Sequence, residues 1–190
     1  MTRGRVLAVA AAVALTAFAI TALVTVAVRR RAAGAQASTS AAAVPAAPPG
    51  RKITARLYYV STDGTKLTAM DREVAYGEGA AAQAQAIVNA QLAPVAAPLV
   101  SAIPPGTRLR ALYLNEKGEA YVDLSREAAA AHTGGTQDEL LTIYTVVNAL
   151  TANLPAVTSV QLLVDGKEVD TLAGHIDLRK PLEKNLALVE

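Results

Sequence analysis

Ser125, Asp123, His132 and His175 are the groups from which a hydrolytic centre in this chain would have to be assembled, because acyl transfer needs a nucleophile, a base and a site for the oxyanion. The two histidines are the only ones in the 190 residues and stand 43 positions apart. No serine occupies a Gly-x-Ser-x-Gly elbow. Asp123 and Ser125 read instead as the end of a strand and the cap of a turn over 126–131, with His175 supporting the C-terminal segment through hydrogen bonds. No catalytic residue is therefore assigned. Scattered carboxylates and two distant histidines match no metal-ligand spacing, and the absence of cysteine excludes thiolate-held metals, a thiol nucleophile and disulfides. Gly134-Gly135-Thr136 precedes a helical pattern and resembles an anion cradle, but it lacks the lysine and further glycines of a phosphate loop. A C-cap or hinge pair is the reading it supports. No cofactor is implied. Among the six tyrosines, Tyr58 lies on the polar phase of its strand beside Arg56, and these two are the candidates for a surface-interaction role.

Any such groups must be positioned by a chain of 52% hydrophobic and 18% charged residues, enough for one modest domain and a separate apolar segment. The net charge of +2 suggests a polyanionic partner only until the charges are located. Arg3, Arg5, Arg29, Arg30 and Arg31 flank residues 6–28, whereas all 16 acidic residues lie beyond position 62. From Arg51 onward 13 basic residues face 16 acidic ones, a net charge of −3, and nucleic acid is excluded as a partner.

Residues 6–28 contain no charge, glycine or proline. At 1.5 Å per residue they would form a helix of about 35 Å, against roughly 30 Å of bilayer hydrocarbon. The length predicts a single transmembrane signal-anchor behind a basic tail at 1–5. A cleaved signal peptide is the rival, since Ala35-Gln36-Ala37 has the form of a cleavage site, but the apolar run exceeds a typical signal core and a triple arginine separates the two. The arginines nearly balance across the span, so the opposite topology stays open. The short basic tail favours an N-terminus inside and residues 32 onward outside the cytoplasm. The rest of 29–50, after the arginines, is an uncharged Ala/Pro-rich tether that would stand a domain off the bilayer.

Within 51–190, residues 53–59 alternate apolar and polar as a half-buried strand does, and Asp63-Gly64 turns the chain into a returning strand over 66–74. A helix over 79–92 stops at Pro94. A Pro-rich loop follows, and then a hairpin of 108–114 and 119–124. Thr136-Gln137-Asp138-Glu139 has the form of a capping box, and Leu140, Ile143, Tyr144, Val147, Leu150 and Leu154 recur at helical spacing until Pro155. Residues 157–164 read as a central strand, and Asp165-Gly166 turns it into another strand over 167–172. The order β-β-α-β-β-α-β-β predicts an α+β fold, two helices on one face of a mixed or antiparallel sheet.

These segments, in this order, resemble the GerMN domain family, the sporulation and spore germination module, over 51–181, with 182–190 as a tail. The likeness is carried by Pro104 and Gly106 in Ile-Pro-Pro-Gly-Thr, Asp123 and Ser125 in Val-Asp-Leu-Ser, and Asn148, Leu150 and Thr151 at a helix end. Asp165 and Gly166 after an apolar strand, and Gly174, His175 and Asp177 beyond them, complete it. Ala93-Pro94 stands where that family usually has Gly-Pro, and Ala149 where threonine is commoner. The resemblance implies a single-domain, membrane-anchored, extracytoplasmic binding or scaffold module of the cell envelope. It implies no established catalytic centre, with an envelope protein, a second copy or murein as partner. The alternative is an accessory or cryptic component of murein hydrolysis.

Overall fold

The computed structural model describes residues 50–190. The basic tail, the expected span over 6–28 and nearly all of the linker over 29–50 lie outside the described residues. Among the described residues no helix is long and apolar enough to cross a membrane.

The described residues begin with a hairpin of β1 (Lys52–Val60) and β2 (Leu67–Ala75), antiparallel and in register from Lys52↔Ala75 to Val60↔Leu67. The turn closes on the Asp63 carboxylate, which accepts the Thr65 N–H at 2.9 Å and the hydroxyls of Thr65 and Ser61 at 2.8 and 2.7 Å. Gly64 supplies the left-handed residue there, at φ 75°. Helix α1 (Ala80–Leu92) follows, then β3 (Leu109–Leu114), β4 (Glu119–Leu124), a short α2 (Glu127–Ala130), the long α3 (Thr136–Asn153), β5 (Ser159–Val164), β6 (Lys167–Glu168) and β7 (Leu182–Glu183).

The fold is mixed α+β, as the element order predicts, but the strands do not form one sheet. β1 and β2 make a two-stranded sheet, while β3-β4-β5-β6 make a second sheet in which β7 also pairs with β5. β4 and β5 are parallel and the other pairs antiparallel. The helices pack against both sheets. Ala84 and Val88 of α1, with Ile143, Val146, Val147 and Leu150 of α3, join a core with Leu112, Val122, Val160 and Leu162 of the larger sheet. Ile87, Leu141 and Ala149 join a second core with Ala55, Leu57, Tyr59 and Val74 of the hairpin. A helix serving two cores cannot have one apolar stripe, and α3 is buried from Leu141 to Thr151 at every position except Tyr144.

Two further expectations are corrected. The strand over 167–172 is only two residues long, and the N–H groups of Leu172 and Ala173 bond to Glu139 of α3 rather than to a neighbouring strand. Residues 182–190 are no loose tail either. β7 lies beside β5, and Asn148 of α3 donates to the Asn185 carbonyl at 2.9 Å and accepts its N–H at 3.0 Å. Val189 bridges Leu67 of the hairpin.

Candidate functional site

The sequence-predicted residues fall into separate groups, each built from backbone that needs a polar side chain to close it. Asp123 of β4 is nearly buried and turns toward the β5–β6 turn, where its carboxylate accepts the Gly166 N–H at 2.7 Å and lies 3.3 Å from the Arg110 guanidinium. Arg110 also lies 3.5 Å from Asp165, whose φ of 51° places a non-glycine residue in the left-handed region ahead of Gly166 at φ 77°. Asp123 thus latches a neighbouring turn and does not cap 126–131. Ser125, just past β4, does lie at that turn, for its carbonyl accepts the Ala128 N–H at 3.0 Å. Its hydroxyl accepts the Arg108 N–H at 3.0 Å and so fastens the start of the β3 hairpin.

His175 sits beside a fully buried carboxylate. Glu139 of α3 is fully buried, and its Oε1 accepts the N–H groups of Leu172 and Ala173 at 2.8 and 2.9 Å. Its Oε2 accepts the His175 N–H at 2.9 Å and lies 3.0 Å from Nδ1, which must carry the ring proton to bond a carboxylate. Burial pushes the Glu139 carboxyl up, but the N–H groups of Ala173, His175 and Leu172 and the imidazole outweigh it and hold the group below its ordinary value. The expected capping box is therefore not formed. Gly135, at φ 92°, takes the N-cap position, Thr136 is the first helical residue, and no side chain caps the helix. The Thr-x-x-Glu spacing was the available signal, and it pointed to the helix's own N-terminus rather than to residues 33–36 positions later.

The second histidine fills a different position. Gly134 donates its N–H to His132 Nδ1 at 3.0 Å, so the ring proton is on Nε2, which lies 3.2 Å from the Thr142 hydroxyl. That hydroxyl lies 2.6 Å from the Ala102 carbonyl, and this chain of bonds ties the Gly134-Gly135 turn to the Pro-rich loop. The two glycines, at φ 86° and 92°, lead into α3 instead of ending a helix. Beside them His132, Thr133 and Asp138 share a cleft of about 290 Å³ with Ile103 and Pro104. Pro104 is buried, and its carbonyl accepts the Thr107 hydroxyl at 2.7 Å across the left-handed Gly106 (φ 84°).

The other motif residues are likewise spent within the fold. Leu150 is fully buried, and the Thr151 hydroxyl donates to the Val147 carbonyl at 2.7 Å. Gly174 (φ 99°) receives the Thr171 hydroxyl as acceptor for its N–H, and exposed Asp177 accepts the N–H and guanidinium of Arg179, which hold its carboxyl well below the usual range.

Tyr58 is corrected. Its side chain is 1% exposed, because the chain end covers the outer face of the hairpin, with Leu186 and Val189 lining the same cleft as Tyr58. Arg56 does remain exposed and pairs with Asp71 at 3.1 Å. The most exposed tyrosines are Tyr113 and Tyr76, at 64% and 42%.

Chemically, these groups hold backbone. Among the described residues neither histidine is hydrogen-bonded to Ser125 or Asp123, and no cluster of three His, Asp or Glu is placed to hold a metal ion.

Comparison with known proteins places this fold. No curated protein matches the chain. Among solved structures it resembles a protein from Clostridium perfringens described as a lipoprotein, at 24% identity and a TM-score of 0.51 over 70% of this chain and 88% of that one. It also resembles the tandem GerMN domains of the sporulation protein GerM from Bacillus subtilis, at 17% identity and a TM-score of 0.54, over 70% of this chain and 46% of that one. The first GerMN domain of GerM alone matches at 16% identity and a TM-score of 0.49, covering 69% and 97%. At such identities the first two likenesses establish the fold alone. The model of the family described as sporulation and spore germination matches residues 56–170, more than half of the chain, and this protein belongs to that family.

Proposed function

We propose that this protein is a membrane-anchored, extracytoplasmic scaffold of the cell envelope that acts by associating with other proteins, without turnover of a substrate. The observation that carries the reading is the use made of its polar groups. Ser125, Asp123, His132 and His175, the candidates for nucleophile and base, each hold a backbone N–H or a side chain of the fold. A general base must be free to reach the proton it takes. Membership of the sporulation and spore germination family supports an envelope role, as does likeness in fold to a protein described as a lipoprotein and to a sporulation protein. The uncharged run over 6–28 supplies the anchor, and the mild negative charge from Arg51 onward disfavours polyanions.

The test is cross-linking of the full-length protein in its own membrane, with protease added to spheroplasts in parallel. The reading expects a cross-linked partner or oligomer and a domain that protease removes from intact spheroplasts. A murein-cleaving activity abolished by both Ser125→Ala and His175→Ala, with only monomer cross-linked, would establish the hydrolase alternative.

A further inference from the structure

A sheet edge exposes a row of backbone N–H and C=O groups that another strand can pair with, and this fold covers its edges unequally. Along β1 the outward groups of Arg56 and Tyr58 are closed by side-chain amides. Asn153 accepts the Arg56 N–H at 2.8 Å and donates to its carbonyl at 2.7 Å, and Gln91 does the same for Tyr58 at 2.9 and 2.8 Å. Residues opposite each other in an antiparallel pair either bond to one another or both turn their backbone groups away. Arg56 stands opposite Asp71 and Tyr58 opposite Ala69, so the groups of Ala69, Asp71 and, two residues on, Glu73 point away from β1. Leu67 belongs to the same set, and there the edge already receives a strand: the Leu67 carbonyl accepts the Glu190 N–H at 3.0 Å beside the parallel Val189 bridge. Beyond it, no backbone or side-chain group among the described residues bonds to the backbone of Ala69, Asp71 or Glu73, and Met70 to Glu73 are exposed.

We propose that β2 from Ala69 to Glu73 takes up an extended segment of a partner protein as an added antiparallel strand. This rests on the association reading above and names its surface. A second copy of β2 does not fit. Two-fold registers centred on Asp71, Arg72 or Glu73 set each of these against its own like charge. The register centred on Met70 needs Leu67 and Thr68, which Val189 and Glu190 hold, and later registers run off the strand at Ala75. The charges that exclude self-pairing select the partner. Asp71 and Glu73 lie on one face and are more than half exposed despite their pairing with Arg56 and Lys52, while Met70 and Arg72 lie on the other. The matching strand carries basic residues opposite Glu73 and Asp71, an acidic one between them opposite Arg72, and an apolar one opposite Met70.

The probe is the capped peptide Lys-Glu-Lys-Val-Ala, with Glu-Lys-Glu-Val-Ala as its charge-reversed control, added to the full-length protein in nanodiscs. The first peptide is expected to slow hydrogen exchange several-fold at the amides of Ala69, Asp71 and Glu73, leave those of Met70 and Arg72 unchanged, and do more than the control. In membranes, Asp71→Pro removes an N–H that no bond in the fold uses, so the cross-linked partner should be lost, while Asp71→Asn keeps the N–H and the partner. Equal effects of the two peptides, or no effect of either, overturn the proposal. A partner retained by Asp71→Pro overturns the edge and leaves the association reading standing, and no partner for the wild type overturns both.

Discussion

Replacing Glu139 by alanine tests the connection on which the C-terminal third of the domain depends. The carboxylate is 0% exposed and receives three backbone N–H groups and an imidazole, at 2.8 to 3.0 Å. Hydrogen bonds to a charged group contribute about 1.5–3 kcal/mol each and are not additive, and some of the freed N–H groups will find water as the 172–175 segment loosens. Leaving buried N–H groups without an acceptor costs about 1–3 kcal/mol each, so a loss of roughly 3–5 kcal/mol is expected for Glu139→Ala. Glu139→Gln should lose less, since one oxygen can still serve Leu172 and Ala173 while the new amide N–H₂ faces the His175 donors. The effect has a pH signature. Because the folded carboxyl titrates below its unfolded value, its contribution is fully present above about pH 4.3 and is lost as pH falls through the folded pKa. Urea unfolding of wild type and Glu139→Gln should therefore show a gap that is constant near neutrality and narrows in acid, and exchange at the amides of Leu172, Ala173 and His175 should speed up first. A gap within about 0.5 kcal/mol for Glu139→Ala, the range of exposed sites, or one independent of pH down to complete protonation, would refute the reasoning.

Leu150→Ala removes a fully buried side chain from the core between α3 and the larger sheet and should cost about 2–5 kcal/mol by thermal or urea unfolding. Gly118→Ala should destabilise by about 1–3 kcal/mol, because φ is 82° and a Cβ would stand 2.6 Å from the Ala156 carbonyl oxygen, which belongs to backbone. Asp63, held to about 2 by the Thr65 and Ser61 donors, should titrate by NMR well below an ordinary aspartate, and Thr65→Val should raise its value. Tyr58→Phe should leave cross-linking in the membrane unchanged, since that ring is covered by the protein's own chain end.

Local chemistry made much of this fold legible. Asp63-Gly64 turns the first hairpin because an aspartate can accept its own turn's N–H groups and glycine costs nothing at positive φ. Pro155 follows directly on the Leu154 C-cap of α3, and the apolar run of β5 reads as central because the strand is paired on both sides. What tertiary structure alone decided depends on residues far apart in sequence. Alternation along β1 predicts an exposed Tyr58, but alternation describes one strand and is silent about residues 186–189 folding back over its outer face. Helical spacing in α3 predicts one apolar face, whereas the hairpin and the sheet bury nearly all of it. Glu139 is the clearest case: a glutamate three residues after a threonine has the same local pattern whether it caps its own helix or reaches a distant loop. The loop prevails because three unpaired N–H groups and an imidazole converge on one buried carboxylate, whereas Gly135 and water can serve the helix end.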